Sequence, residues 1–87
     1  MKVKEGFVLR KVGNEQIVVT LGAAMKELNG LIRLNESGVL LWHRLEAGAE
    51  RADLEQALTD AYGIPREQAA RDVGAFLDSL EPAHCLE

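Results

Sequence analysis

The residues able to do chemistry in this chain are few and far apart. Cys85 is the single cysteine, so no internal disulfide can form, and the two histidines, His43 and His84, have no partners at metal-ligand spacing. A structural zinc ion needs about four ligands and the chain does not offer them. Cys85 lies near the terminus and is an improbable nucleophile. Acid–base catalysis needs at least two groups with tuned pKa values in one pocket. Here the carboxylates are scattered over helix faces, and no glycine-rich phosphate loop, nucleophile elbow or metal motif occurs. The expectation is a chain that is not an enzyme and holds no cofactor or metal; what remains is recognition.

The totals agree. Eighty-seven residues suit one domain, 1–87, and its core must be thin. Apolar residues make up 47% and charged residues 28%, the balance of an ordinary globular protein rather than a disordered one. No apolar run approaches the roughly 18 residues of a membrane helix. Met1-Lys2-Val3-Lys4 is followed by Glu5-Gly6 where a signal peptide would need an apolar stretch, so the expected location is cytoplasmic, with no membrane partner. Charge is uneven along the chain. Residues 1–45 carry seven Lys/Arg against four Asp/Glu, a net of +3, and residues 46–87 carry three against ten, a net of −7.

The elements that must position any binding residues can be read from the pattern. Phe7–Val12 and Gln16–Thr20 are β-rich runs separated by Gly13-Asn14, whose residues tolerate positive φ, so they form a hairpin that Gly22 ends. Ala23–Asn29 stays open between a helical turn and the turn signalled by Asn29-Gly30. Gly30–Leu34 is a short third strand. Asn35 caps a first helix over about Glu36–Ala47, in which Val39-Leu40-Leu41-Trp42 is apolar nearly all round. Leu54, Leu58, Ala61 and Tyr62 form one face of a second helix over about Ala52–Tyr62, closed by Gly63. Pro65 opens a third helix with Ala69, Val73, Phe76, Leu77 and Leu80 on one stripe, and it reaches about Leu80 before Pro82. His84-Cys85-Leu86 can add a short extended segment. Three strands followed by three helices make an α+β fold, and the order suggests a winged helix-turn-helix with a three-stranded antiparallel sheet.

Gly30-Leu31-Ile32-Arg33-Leu34-Asn35-Glu36-Ser37-Gly38, followed by Leu41-Trp42, resembles the strand–Leu-Asn-Glu-(Thr/Ser)-Gly–helix junction of PqqD-like proteins, the RiPP recognition elements. Val18-Val19 in the hairpin and the Asp72-Val73, Phe76-Leu77, Leu80 run are similar too. The likeness spans nearly the whole chain. Near the tail, where the family usually has a glycine, this chain has Ala83-His84.

The resemblance implies non-catalytic capture of the leader region of a precursor peptide, added as a strand along the third strand and against the third helix, for a peptide-modifying enzyme such as a radical-SAM enzyme. On that reading the peptide-binding residues are Gly30, Leu31, Ile32, Arg33 and Leu34 with Arg66, Ala69, Ala70, Val73 and Leu77. An edge strand has unpaired N–H and C=O groups to offer, and the small Ala69 and Ala70 leave room for an apolar side chain. Arg66 and Arg71 can pair with the acidic residues that the resemblance leads one to expect in leaders. Each of these has a plainer reading. Trp42 belongs more naturally to the core than to a pocket. Phe76 and Leu77 sit at core spacing. Asn35, Glu36 and Ser37 are explained by helix capping. Arg33 serves equally as a charge that keeps an edge strand from aggregating.

Two rivals remain: a winged-helix DNA-binding protein, and a partner subunit that docks on an enzyme without touching its substrate. The charge asymmetry bears on the first. DNA binding rests on Lys/Arg neutralising phosphates, yet the helical half is the acidic half, and the candidate recognition helix Arg66-Glu67-Gln68-Ala69-Ala70-Arg71-Asp72 sets each arginine beside an acid. Titration of duplex DNA at low ionic strength is therefore expected to give no tight complex; submicromolar, salt-sensitive binding would reverse the ranking.

Overall fold

The computed structural model describes residues 1–20 and 32–87. The expectations for Gly22, Ala23–Asn29, Gly30 and Leu31 lie outside the described residues. Within them the chain forms strands β1 (Phe7–Val12), β2 (Glu15–Thr20) and β3 (Ile32–Leu34), then helices α1 (Glu36–Ala47), α2 (Arg51–Tyr62) and α3 (Arg66–Leu80), and a 3₁₀ turn, Glu81–Ala83. This is the α+β, winged-helix-like order expected from the sequence, with the starts of β2, α2 and α3 each moved by one residue. None of the described helices is long and apolar enough to cross a membrane.

The three strands make one antiparallel sheet in the order β1-β2-β3. Gly13-Asn14 closes the hairpin with Val12 opposite Glu15, and of the two turn residues only Gly13 uses a positive φ, 62°. Strand alternation then sorts the faces. Val18 lies between Leu9 and Ile32 on the face that meets the helices. Ile17 turns to the other face, between Arg10 and Arg33.

The core is built by all three helices on the sheet. Leu41, Trp42 and Leu45 of α1, Leu54 and Leu58 of α2, and Ala69, Val73 and Leu80 of α3 are buried against Phe7 and Val18. Trp42 is fully buried, as the core reading expects; its Nε1 has no hydrogen-bond acceptor among the described residues. The second helix is held at its start by a capping box between Glu50 and Asp53 and ends on Gly63 in the left-handed conformation.

The tail does more than extend. Val3 and Leu86 form an antiparallel bridge, with Lys4 N donating to Cys85 O at 2.8 Å and Glu87 N donating to Lys2 O at 2.8 Å. Val3 N in turn donates to Leu45 O at the end of α1, at 3.1 Å. This draws Cys85 into the core, where burial pushes its thiol pKa up, against smaller opposing effects of its backbone hydrogen bond and Lys4. A neutral thiol is a weak nucleophile.

The chain reaches that bridge through His84, the one non-glycine residue with positive φ among those described, at φ 50° and ψ 41°. An L residue in this conformation costs about 1–2 kcal/mol, and glycine returns part of any gain as unfolded-state entropy. His84 is exposed, so its side chain gives up little packing. His84→Gly should therefore stabilise the domain by roughly 0.5–1 kcal/mol, measured as a higher urea midpoint at unchanged slope. A lower midpoint would mean that the imidazole contributes more than its backbone strain costs.

Candidate functional site: a groove between the third strand and the third helix

Leu34 ends β3 and Glu36 begins α1, so a single residue makes the turn from strand to helix. Asn35 does this in an extended conformation, φ −79° and ψ −179°, while its Oδ1 accepts from Gly38 N at 2.8 Å and from Ser37 Oγ at 3.1 Å. That satisfies one of the N–H groups orphaned at a helix start. Gly38 is as specific as the cap. A Cβ there would stand 3.1 Å from Asn35 Oδ1 and 3.4 Å from Leu34 Cβ. The Leu-Asn-Glu-Ser-Gly run is thus a geometric unit: Asn caps, and Gly lets the helix start lie against the strand end.

Beside this junction opens a groove of about 680 Å³. One wall is Arg33 and Leu34 of β3, with Asn14–Gln16 from the adjoining hairpin. Asn35, Ser37, Gly38 and Leu41 line it from the junction, with Leu58 from α2, and the opposite wall is Asp72, Ala75, Phe76 and Ser79 of α3. Strand β3 pairs only with β2 among the described residues, and none of them pairs with its other edge.

The third strand and third helix are therefore brought together, as expected, but the face that α3 presents differs. Residues 72, 75, 76 and 79 share one stripe at helical spacing. Val73 is rotated from Asp72 by one residue's turn of 100°, while Ala69 lies nearly in line with Phe76 but two turns nearer the start of the helix. Both are fully buried in the core and line no part of the groove. Ala70 turns toward α2, where its carbonyl accepts from Arg51 Nη2 at 3.2 Å. Arg66 is committed to α2 as well: its Nη1 donates to Gln56 Oε1 at 3.1 Å and its Nε lies 3.7 Å from Glu55 Oε1. Leu77 lines a separate pocket of about 260 Å³ with Met1, Leu80 and Leu86 near the terminal bridge.

On the strand, Ile32 packs on the core while Arg33 and Leu34 line the groove; Gly30 and Leu31 lie outside the described residues. Arg33 Nε lies 3.5 Å from Glu15 Oε2, with both side chains largely exposed. On α3, the groove-lining Asp72, Ala75 and Ser79 are not among the site residues expected from the sequence. Their signal was faint: a small and polar stripe beside the apolar one, with Phe76 at the border of both. No group of three or more His, Cys, Asp or Glu among the described residues could hold a metal ion.

The profile of the family described as coenzyme PQQ synthesis protein D (PqqD) matches residues 15–86. The chain belongs to the PqqD family. Its match begins at the second strand and ends at the terminal bridge, so it takes in the junction and both walls of the groove. Two solved structures share the fold. One is TbiB1 in complex with the TbiA(beta) leader peptide, 24% identical, covering all of this chain and 95% of the other at a TM-score of 0.77. The other is lasso peptide synthetase B1 complexed with the leader peptide, 25% identical, covering 92% and 88% at a TM-score of 0.70. No curated protein matches the chain.

The junction yields a mutational test. Asn35→Ala should cost about 0.5–2 kcal/mol through the lost cap. Gly38→Ala must push the same Asn35 oxygen aside, so the two losses should fall short of additive in the double variant. Urea unfolding of the four proteins measures this; strictly additive losses would show that Gly38 is needed for something other than the cap.

Proposed function

We propose that the chain captures the leader region of a precursor peptide as an added strand on β3, lying in the groove against α3, and presents it to a peptide-modifying enzyme such as a radical-SAM enzyme, without catalysis of its own. The observation that carries this reading is that β3, whose outer edge pairs with none of the described residues, lines one wall of a groove whose other wall is α3. Backbone pairing along the edge holds a peptide extended, and pockets for alternate side chains supply selectivity. The half-buried Leu34 and Phe76 supply the apolar surface above the buried Leu41 and Leu58, and Ala75 keeps the mouth wide. Membership of the PqqD family supports the reading, as do two proteins of the same fold that were solved with leader peptides bound.

On this reading β3 contributes through its backbone, Arg33 and Leu34, while Asp72, Ala75, Phe76 and Ser79 replace Arg66, Ala69, Ala70, Val73 and Leu77 as the helix contacts. Arg66, at the start of the candidate recognition helix, is occupied by Glu55 and Gln56, which removes one of its two arginines from any DNA contact.

Backbone amide shift mapping with the leader of a precursor encoded beside the gene tests the site. Perturbations should cluster on Ile32–Leu34 and on residues 72–79. Ala75→Leu, at an exposed position in the groove wall, should weaken binding about ten-fold or more with little change in stability, whereas Ala70→Leu, on the α2 side, should leave binding intact. Shifts centred on β1 or on the outer face of α2 would show that the groove is not where the peptide lies.

A further inference from the structure

We propose that the groove selects a basic side chain, lysine or arginine, in the bound peptide, and that Glu36, Tyr62 and Asp72 form the subsite that reads it. The inference rests on the strand-addition reading above. Next to the main groove lies a second depression of about 310 Å³, where the start of α1 meets the end of α2 and Asp72 of α3. Asn35, Ser37, Leu58 and Asp72 line both, so the two form one continuous surface. A peptide along β3 can therefore turn one long side chain into the second depression while its apolar residues stay over the first.

The lining of that depression suits a cation with an aliphatic stem. Tyr62 supplies the apolar surface, beside the buried Leu58: it is a large hydrophobic residue left 42% exposed, able to carry a methylene chain on its ring or a cation over its face. Glu36 and Asp72 supply two carboxylates, neither in an ion pair with another described residue. Two helix ends also meet here, with opposite signs. The N-terminus of α1 is positive, but Asn35 already satisfies its Gly38 N–H and Glu36 sits in its first turn. The C-terminus of α2 is negative, and its last turn contains no basic residue. The half-charges of the two ends oppose each other, and two full negative charges are left over.

The rest of the groove does not reverse this sign. Arg33, the one basic residue lining it among those described, is paired with Glu15. Arg66 is held by α2, and Arg71 lines neither cavity. The expectation of acidic leader residues meeting Arg66 and Arg71 therefore has no counterpart in the groove, whose free charge is negative.

The test needs no knowledge of the natural precursor. A random twelve-residue display library is selected on the wild-type protein and on the Glu36→Gln/Asp72→Asn double variant, after circular dichroism has shown that the variant is folded. Groove binding of the winning peptides is checked by amide shifts on β3 and α3. Wild-type winners should share a lysine or arginine at a fixed spacing from an apolar anchor, and the double variant should keep the anchor and lose the basic preference. For the best wild-type peptide, replacing its basic residue with norleucine should weaken binding about two- to five-fold, as an exposed ion pair would, and this difference should vanish on the double variant and shrink at high salt. Groove-bound winners with an apolar anchor and neutral or acidic residues in place of the base would overturn the subsite and leave strand addition standing. Failure of any selected peptide to perturb β3 and α3 would overturn both.

Discussion

The structure depends on the one-residue junction between β3 and α1. Asn35 has to be extended to finish the strand and must at the same time cap the helix, and Gly38 has to lack a side chain for the helix start to lie against Leu34. Because the turn is so short, the axis of α1 is set by the edge strand. Leu41, Trp42 and Leu45 are then fixed over Val18, and α2 and α3 can pack only where α1 leaves room. The groove is what remains between that junction and α3. Its shape is thus a by-product of a capping interaction worth about 1 kcal/mol, acting through geometry more than energy.

Two sets of contacts hold α3 at its distance from β3. At one end, Arg51 reaches from α2 to the Ala70 carbonyl and Arg66 reaches back to Glu55 and Gln56. Gly74 makes space for the first, since a Cβ there would stand 3.0 Å from Arg51 Nη2. At the other end, the 3₁₀ turn and the Val3–Leu86 bridge tie the tail of α3 to the N-terminal segment and to the end of α1. Exposed ion pairs add little stability individually, so the main service of the arginine contacts is to fix rotation. That rotation decides which stripe of α3 faces the groove.

Electrostatics separates two roles that a winged-helix shape leaves open. A face for nucleic acid needs cations free of partners, and the arginine at the head of α3 is spent on α2. The groove instead combines apolar surface, polar rim and a strand edge that pairs with none of the described residues, the combination that suits an extended peptide.

Much of the fold was legible in the sequence because local rules agree with one another here. Alternation marked β1 and β2, Gly13 the hairpin turn, Asn35 a cap, Gly63 a helix end and Pro65 a helix start, each through its own backbone preference. The burial of Trp42 and the pairing of the third strand and third helix as groove walls followed from that order and from the family likeness. What only the tertiary structure decided was rotation and long-range pairing. Ala69 and Val73 share an apolar stripe whatever they face, and periodicity cannot tell a core contact from a groove contact; the packing of α3 on its neighbours buried them and left Asp72, Ala75 and Ser79 to the groove. Arg66 reads as a free cation in the sequence, but Glu55 and Gln56, eleven and ten residues away in sequence yet adjacent in space, claim it. The Val3–Leu86 bridge joins the two ends of the chain, and no local pattern carries a signal over that separation.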